Sequence, residues 1–154
     1  MKQVVWLLED SLGPIDPALK ALTEAPAVYI YDEERLRTHP TSFKRLFFIY
    51  ESLVETFAGR SAPCEIRRGN LVREMIDFCR KYGAEEIHVT RSPSPAYRLW
   101  TEQLRHTLVV VEYAPETLVK WSGRPPRRFL ELWERAYPQL LPEAGAASDE
   151  AEES

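Results

Sequence analysis

Val4-Val5-Trp6-Leu7-Leu8-Glu9-Asp10-Ser11-Leu12-Gly13-Pro14-Ile15-Asp16-Pro17-Ala18-Leu19 decides the fold. It opens with five apolar residues and no alternation, the pattern of a strand buried on both faces, as in a parallel sheet. The run breaks at Glu9-Asp10-Ser11, turns at Gly13-Pro14 and restarts as a helix. Asp16 reads as the N-cap, and Pro17 takes the first helical position, where a missing N–H is no loss. Strand, polar loop and helix open an α/β unit. In open α/β sheets such a loop lies at the carboxyl end of the strands, where ligands bind.

Working outward, the first helix is expected from Asp16 to about Glu24, and Ala27-Val28-Tyr29-Ile30-Tyr31 is a second apolar strand ending at Asp32-Glu33-Glu34. Pro40-Thr41-Ser42 starts the longest helix and Gly59 ends it. Phe43, Leu46, Phe47, Tyr50, Leu53, Val54 and Phe57 share the spacing of one helix face. An aromatic stripe of this kind fits either packing against the sheet or a cofactor box, and core packing is the expectation here. Cys64-Glu65-Ile66-Arg67-Arg68 is a charged strand suited to a sheet edge. Gly69-Asn70 opens a helix bearing Leu71, Val72, Met75, Ile76, Cys79 and Tyr82, and Gly83 stops it. Glu86–Thr90 is the next strand, Ala96 to about His106 a helix, and Leu108–Tyr113 the most apolar strand. Strands alternating with helices imply a parallel sheet with right-handed crossovers.

The last ordered part is expected to be Pro115–Leu141, where Pro125-Pro126 starts a helix with Phe129, Leu132, Trp133 and Tyr137. One domain, residues 1–141, fits the chain length, with a disordered acidic tail at 142–154. That tail holds five of the carboxylates behind the net charge of −4, leaving the body at +1. A near-neutral body is not the footprint of a strong nucleic-acid binder, and direct DNA binding is not expected. No apolar run reaches the length of a membrane span. The N-terminus enters a strand after one lysine, so no signal peptide is read there. Cys64 and Cys79 sit among apolar neighbours, as reduced thiols of a cytoplasmic protein would.

The quoted stretch also resembles the start of the DNA photolyase/cryptochrome family, Trp-Phe-Arg-x-Asp-Leu-Arg-Leu and then Asn-Pro-Ala-Leu. Trp6, Asp10 and Pro17-Ala18-Leu19 match in register, while Leu8 and Leu12 stand where the family has arginines. Further on, Lys44–Leu53 resembles the family's Arg-x-x-Phe-Leu-x-Glu-Ser-Leu helix, Tyr82–Ile87 its Gly-Ala turn, Ser122–Pro125 its exit segment and Phe129–Trp133 its Phe-Thr-Pro-Phe-Trp. The resemblance implies the family's N-terminal antenna-type domain standing alone. Its FAD-binding domain is not here, so no FAD is expected and light-driven repair by this chain alone is not expected. A folate or deazaflavin antenna is the implied cofactor, and a flavin-domain protein or a second copy the implied partner.

The strand order expected for such a doubly wound, Rossmann-like sheet is 3-2-1-4-5. Its switch point lies between the first and fourth strands, where Glu9, Asp10, Ser11, Thr90, Arg91 and Ser92 converge, with Asp32 one strand away. Acids, hydroxyls and one arginine can hold a ribose, a phosphate or a heteroaromatic ring. A solvated loop rim is the other reading. Trp121, Arg124, Arg127, Arg128, Phe129 and Trp133 form a candidate partner surface, since Trp and Arg dominate interface hot spots. Packing of Phe129 and Trp133 into the core is the other reading there. The three histidines lack metal-ligand spacing, and His88 reads as a satisfied strand residue. Gly69-Asn70 reads as a turn and cap, with anion binding the alternative.

Two functions follow. One is a non-catalytic docking module of the photolyase type. The other is a small nucleotide-binding or nucleotide-processing protein on the same fold. The second calls for a glycine-rich loop after the fourth strand, and Arg91-Ser92-Pro93-Ser94-Pro95 has no glycine.

Overall fold

The computed structural model describes residues 2–141. The tail expected to be disordered, 142–154, lies outside them. The chain divides after Pro115 into two compact units.

The first unit is a five-stranded sheet in the order β3-β2-β1-β4-β5, with every neighbouring pair parallel. The strands are β1 (Lys2–Leu7), β2 (Ala27–Asp32), β3 (Cys64–Gly69), β4 (Ala84–Thr90) and β5 (Val109–Tyr113). The helices between them are α1 (Pro17–Ala21), α2 (Glu33–Thr38), α3 (Phe43–Ala58), α4 (Leu71–Tyr82) and α5 (Pro95–Leu104). This is the doubly wound α/β architecture read from the sequence, with the charged strand β3 at one edge.

The unbroken apolar run of β1 serves both faces. Val4, Trp6 and Leu8 join the cluster under α4 and α5, with Met75, Phe78, Ile87, Val89 and Leu104. Val5 and Leu7 point the other way, to Ala18, Leu19, Ile49 and Leu53 of α1 and α3. Each large side chain so buried contributes roughly 1.5–3 kcal/mol.

The caps are those the sequence signals. Asp16 Oδ1 accepts from the Leu19 N–H at 2.9 Å, with Pro17 next to it in the first turn. Ser42 and Asn70 cap α3 and α4 by accepting from Arg45 and Arg73 N–H. Gly83 takes the left-handed conformation, φ 63°, that ends α4. Two readings need correction. Helix α1 stops at Ala21 rather than near Glu24, and α2 occupies a segment read only as the acidic end of β2.

A third correction concerns α3. Its buried residues are Ile49, Leu53 and Thr56. Phe43, Phe47, Tyr50 and Val54, expected in the core, are exposed. Apolar residues cover about half the circumference of α3, so periodicity alone does not choose which part of that arc meets the sheet.

The second unit carries α6 (Phe129–Leu140), in which Ala136 is buried. Among the described residues no helix is long and apolar enough to cross a membrane.

Candidate functional site

The carboxyl ends of β1 and β2 and the loop after β4 enclose one crevice in the first unit. Glu9 and Asp10, Tyr29 to Asp32, Ser92 and Ser94, Tyr97 and Trp100 line it, with Arg35 of α2 and Leu46 of α3. Its free volume is about 50 Å³, room for a few waters.

Arg35 lines the crevice from α2. Its Nη2 donates to Glu9 Oε1 at 2.7 Å, and its guanidinium carbon lies 6.0 Å from the ring centre of Trp100. Arg45 reaches the same Glu9 carboxylate at 3.6 Å. Trp100 meets Trp6 edge-on at 6.3 Å, and Trp6 lies 5.9 Å from Tyr97. The crevice therefore has an aromatic floor covered by a cation that a carboxylate holds in place. Cation–ring contacts of this sort contribute about 0.5–2 kcal/mol.

The polar wall comes from two loops. Residues 9–11 form a single 3-10 turn, which lifts Asp10 toward the loop after β4. There the Ser92 hydroxyl donates to Asp10 Oδ2 and accepts from the Ser94 N–H at 3.1 Å. Tyr97 donates its hydroxyl to Glu112. Burial first, and then the Glu112 carboxylate, push the acidity of that phenol far down. Tyr29 likewise stays protonated, chiefly through burial and secondarily through Glu9.

Of the seven residues read as a cofactor crevice, Glu9, Asp10, Asp32 and Ser92 line it. Asp32 is committed to structure, since Oδ1 accepts from Arg35 N–H at 2.8 Å and Oδ2 from Leu71 N–H at 3.1 Å. It caps α2 and ties the start of α4 to the end of β2. Ser11 turns away and donates to Asp16 Oδ2 at 2.6 Å. Thr90 is buried and accepts from the Ala18 N–H at 3.3 Å. Arg91 is exposed and does not line the crevice. Sequence reading missed Arg35, Ser94, Tyr97 and Trp100. Arg35 lies in the unread helix, and Trp100 and Tyr97 read as ordinary apolar positions of α5.

His88 is satisfied, as expected. Its Nδ1 lies 2.9 Å from the Tyr113 hydroxyl and its Nε2 3.3 Å from Glu86 Oε2. Hydrogen bonds from Gln3 and then His88 hold the Glu86 carboxyl below its usual value. Among the described residues no group of three His, Cys, Asp or Glu could hold a metal ion.

In the second unit, the Trp121 indole N–H donates to Arg124 O at 2.9 Å, and the Arg135 guanidinium sits 4.8 Å over the Trp121 ring. Phe129 stacks on Trp133 at 5.9 Å. Both are exposed, as are Arg124, Arg127 and Arg128. The alternative reading of Phe129 and Trp133 as core residues is not what this unit adopts.

No family model matches the chain, and no curated protein matches it. Solved structures do match. One is that of hypothetical protein MJ0577, described as a structure-based assignment of biochemical function. It is 12% identical, covers 75% of this chain and 97% of that one, and has a TM-score of 0.47. No photolyase or cryptochrome family model matches the chain. The photolyase/cryptochrome resemblance is therefore withdrawn. The residues that carried it have plain roles in this sheet: Trp6, Ala18 and Leu19 are core, and Pro17 opens α1. Any parallel sheet with the same loop and cap would present them in that register.

Proposed function

We propose that this protein binds a small nucleotide, of nucleoside monophosphate size, in the crevice over β1 and β2. The observation that carries the reading is the Arg35 guanidinium lying over Trp100 under the hold of Glu9. A cation on an aromatic face occupies the place a nucleobase would take. The Arg35 side chain is 40% exposed, so its ion pair with Glu9 holds it by no more than about 1 kcal/mol. An entering base displaces it and stacks on Trp100, a contact worth roughly 1–3 kcal/mol.

The rest of the crevice supplies the other two recognitions. Released from Trp100, Arg35 is free to pair with a phosphate, and a guanidinium suits that geometry. The N-terminus of α5 opens nearby, and its N-cap Ser94 makes no side-chain capping bond. The first-turn N–H groups are then left for an anion. This supplies by helix geometry what a glycine-rich loop supplies elsewhere. Glu9 and Asp10 are acceptors for ribose hydroxyls. The position, outside the carboxyl ends of parallel strands, is where open α/β sheets bind ligands.

Isothermal titration with AMP, GMP, ATP and adenosine tests the reading. A saturable heat is expected with at least one phosphate-bearing nucleotide, weakened about tenfold or more by Trp100→Ala and by Arg35→Ala. No heat from any of the four at millimolar concentration would end it. Folate, added as a fifth ligand, separates a nucleotide site from a pterin site.

A further inference from the structure

Helix α3 presents a second apolar stripe that no other element of the first unit covers. Phe43, Phe47, Tyr50 and Val54 stand at the i, i+4, i+7, i+11 spacing, so they lie in one narrow row. They are 78%, 48%, 49% and 47% exposed, and Phe43 stacks on Phe47 with ring centres 6.0 Å apart. The row is about 16 Å long. Exposed apolar rows of this kind mark interaction surfaces.

The charges beside the row say what covers it. Lys44, Glu51 and Glu55 lie along one flank, Lys44 at the N-terminal end and the two acids toward the C-terminal end. All three side chains are exposed, and none makes an ion pair or side-chain hydrogen bond among the described residues. Their order also opposes the helix dipole, which favours acids at the start and bases at the end. The first turn of α3 has no acid and the last has no base. A second α3 running antiparallel reverses both mismatches. About a two-fold axis at the middle of the row, Lys44 of one copy falls between Glu51 and Glu55 of the other. Like flank meets like flank in such a pairing, so the match is made twice.

We propose that the exposed row of α3 is a homodimer interface, formed by antiparallel packing of α3 against α3 of a second copy. The row supplies the desolvated apolar centre, and the Lys44 and Glu51/Glu55 flank sets the antiparallel orientation.

Sedimentation equilibrium of the full chain between micromolar and millimolar concentration tests it, with circular dichroism to show that each variant is folded. The wild type is expected to be a dimer. Phe47→Glu and Tyr50→Glu each raise the dissociation constant about tenfold or more. Lys44→Glu alone weakens the dimer. The triple variant Lys44→Glu with Glu51→Lys and Glu55→Lys restores it, because the reversed charges still complement each other. A wild type that stays monomeric throughout overturns the proposal. So does a dimer indifferent to Phe47→Glu and Tyr50→Glu, or one that the triple charge reversal fails to restore.

Discussion

Asp32 shows how a single carboxylate can look like a ligand and act as a joint. Its two oxygens each take a backbone N–H, one from α2 and one from α4, and it is buried. Asp32→Ala leaves both amides without a partner and should cost about 2–3 kcal/mol in urea unfolding. Asp32→Asn keeps oxygen for one of them and should cost less. Glu65 is a second such residue. Burial raises its pKa, but hydrogen bonds from Lys81, Tyr82 and Arg67 outweigh that and hold the carboxyl below its usual value. A depressed acid stabilises the fold above its unfolded pKa, and that contribution is lost as pH falls through the folded value. Glu65→Gln should therefore unfold more easily at pH 7, by on the order of 1 kcal/mol after solvent screening. The difference should close below about pH 4, in urea melts compared at the two pH values. Burial lifts the Cys79 thiol to about 11. Iodoacetamide at pH 8 should leave Cys79 unmodified in the native protein and modify it in urea, as a mass spectrum of the peptides would read out.

At the scale of elements, caps and punctuation were legible in the sequence and orientation was not. Asp16, Asn70 and Gly83 carry their roles in their chemistry: a short acceptor before a helix, or a residue free to take positive φ after one. The five strands were legible because each is a short apolar or charged run between breakers. Helix α2 was not, since Glu33-Glu34-Arg35-Leu36-Arg37-Thr38 has one apolar residue and no periodicity to read. Losing α2 meant losing Arg35, and with it the cover of the crevice floor. In α3 the periodicity was plain, but Ile49, Leu53 and Thr56 face the sheet while the neighbouring aromatics do not. Leu53→Ala should thus cost about 3 kcal/mol in chemical unfolding, a cavity in a filled core. Val54→Ala, one residue on, should cost less than about 0.5 kcal/mol in dilute protein. Equal effects of the two would contradict the rotation of the helix described here.

At the scale of the whole molecule, strand order follows from the pattern of elements, and the site follows from strand order. Strand β1 is central, with β2 on one side and β4 on the other, so the chain leaves it in two directions and its carboxyl end faces an opening. Position was thus legible before structure, while contents were only half so. Glu9, Asp10 and Ser92 stand on the loops that flank the opening, but Trp100 and Arg35 reach it from helices whose rotation the sequence does not specify. The most direct test of a nucleotide crevice is a proton–nitrogen NMR titration of the full chain with AMP. The amides of Glu9, Asp10, Ser92 and Tyr97 and the indole N–H of Trp100 should shift together and saturate, while the indoles of Trp121 and Trp133 stay still. If AMP moves none of the crevice resonances, or moves a different set, the crevice is not the binding site.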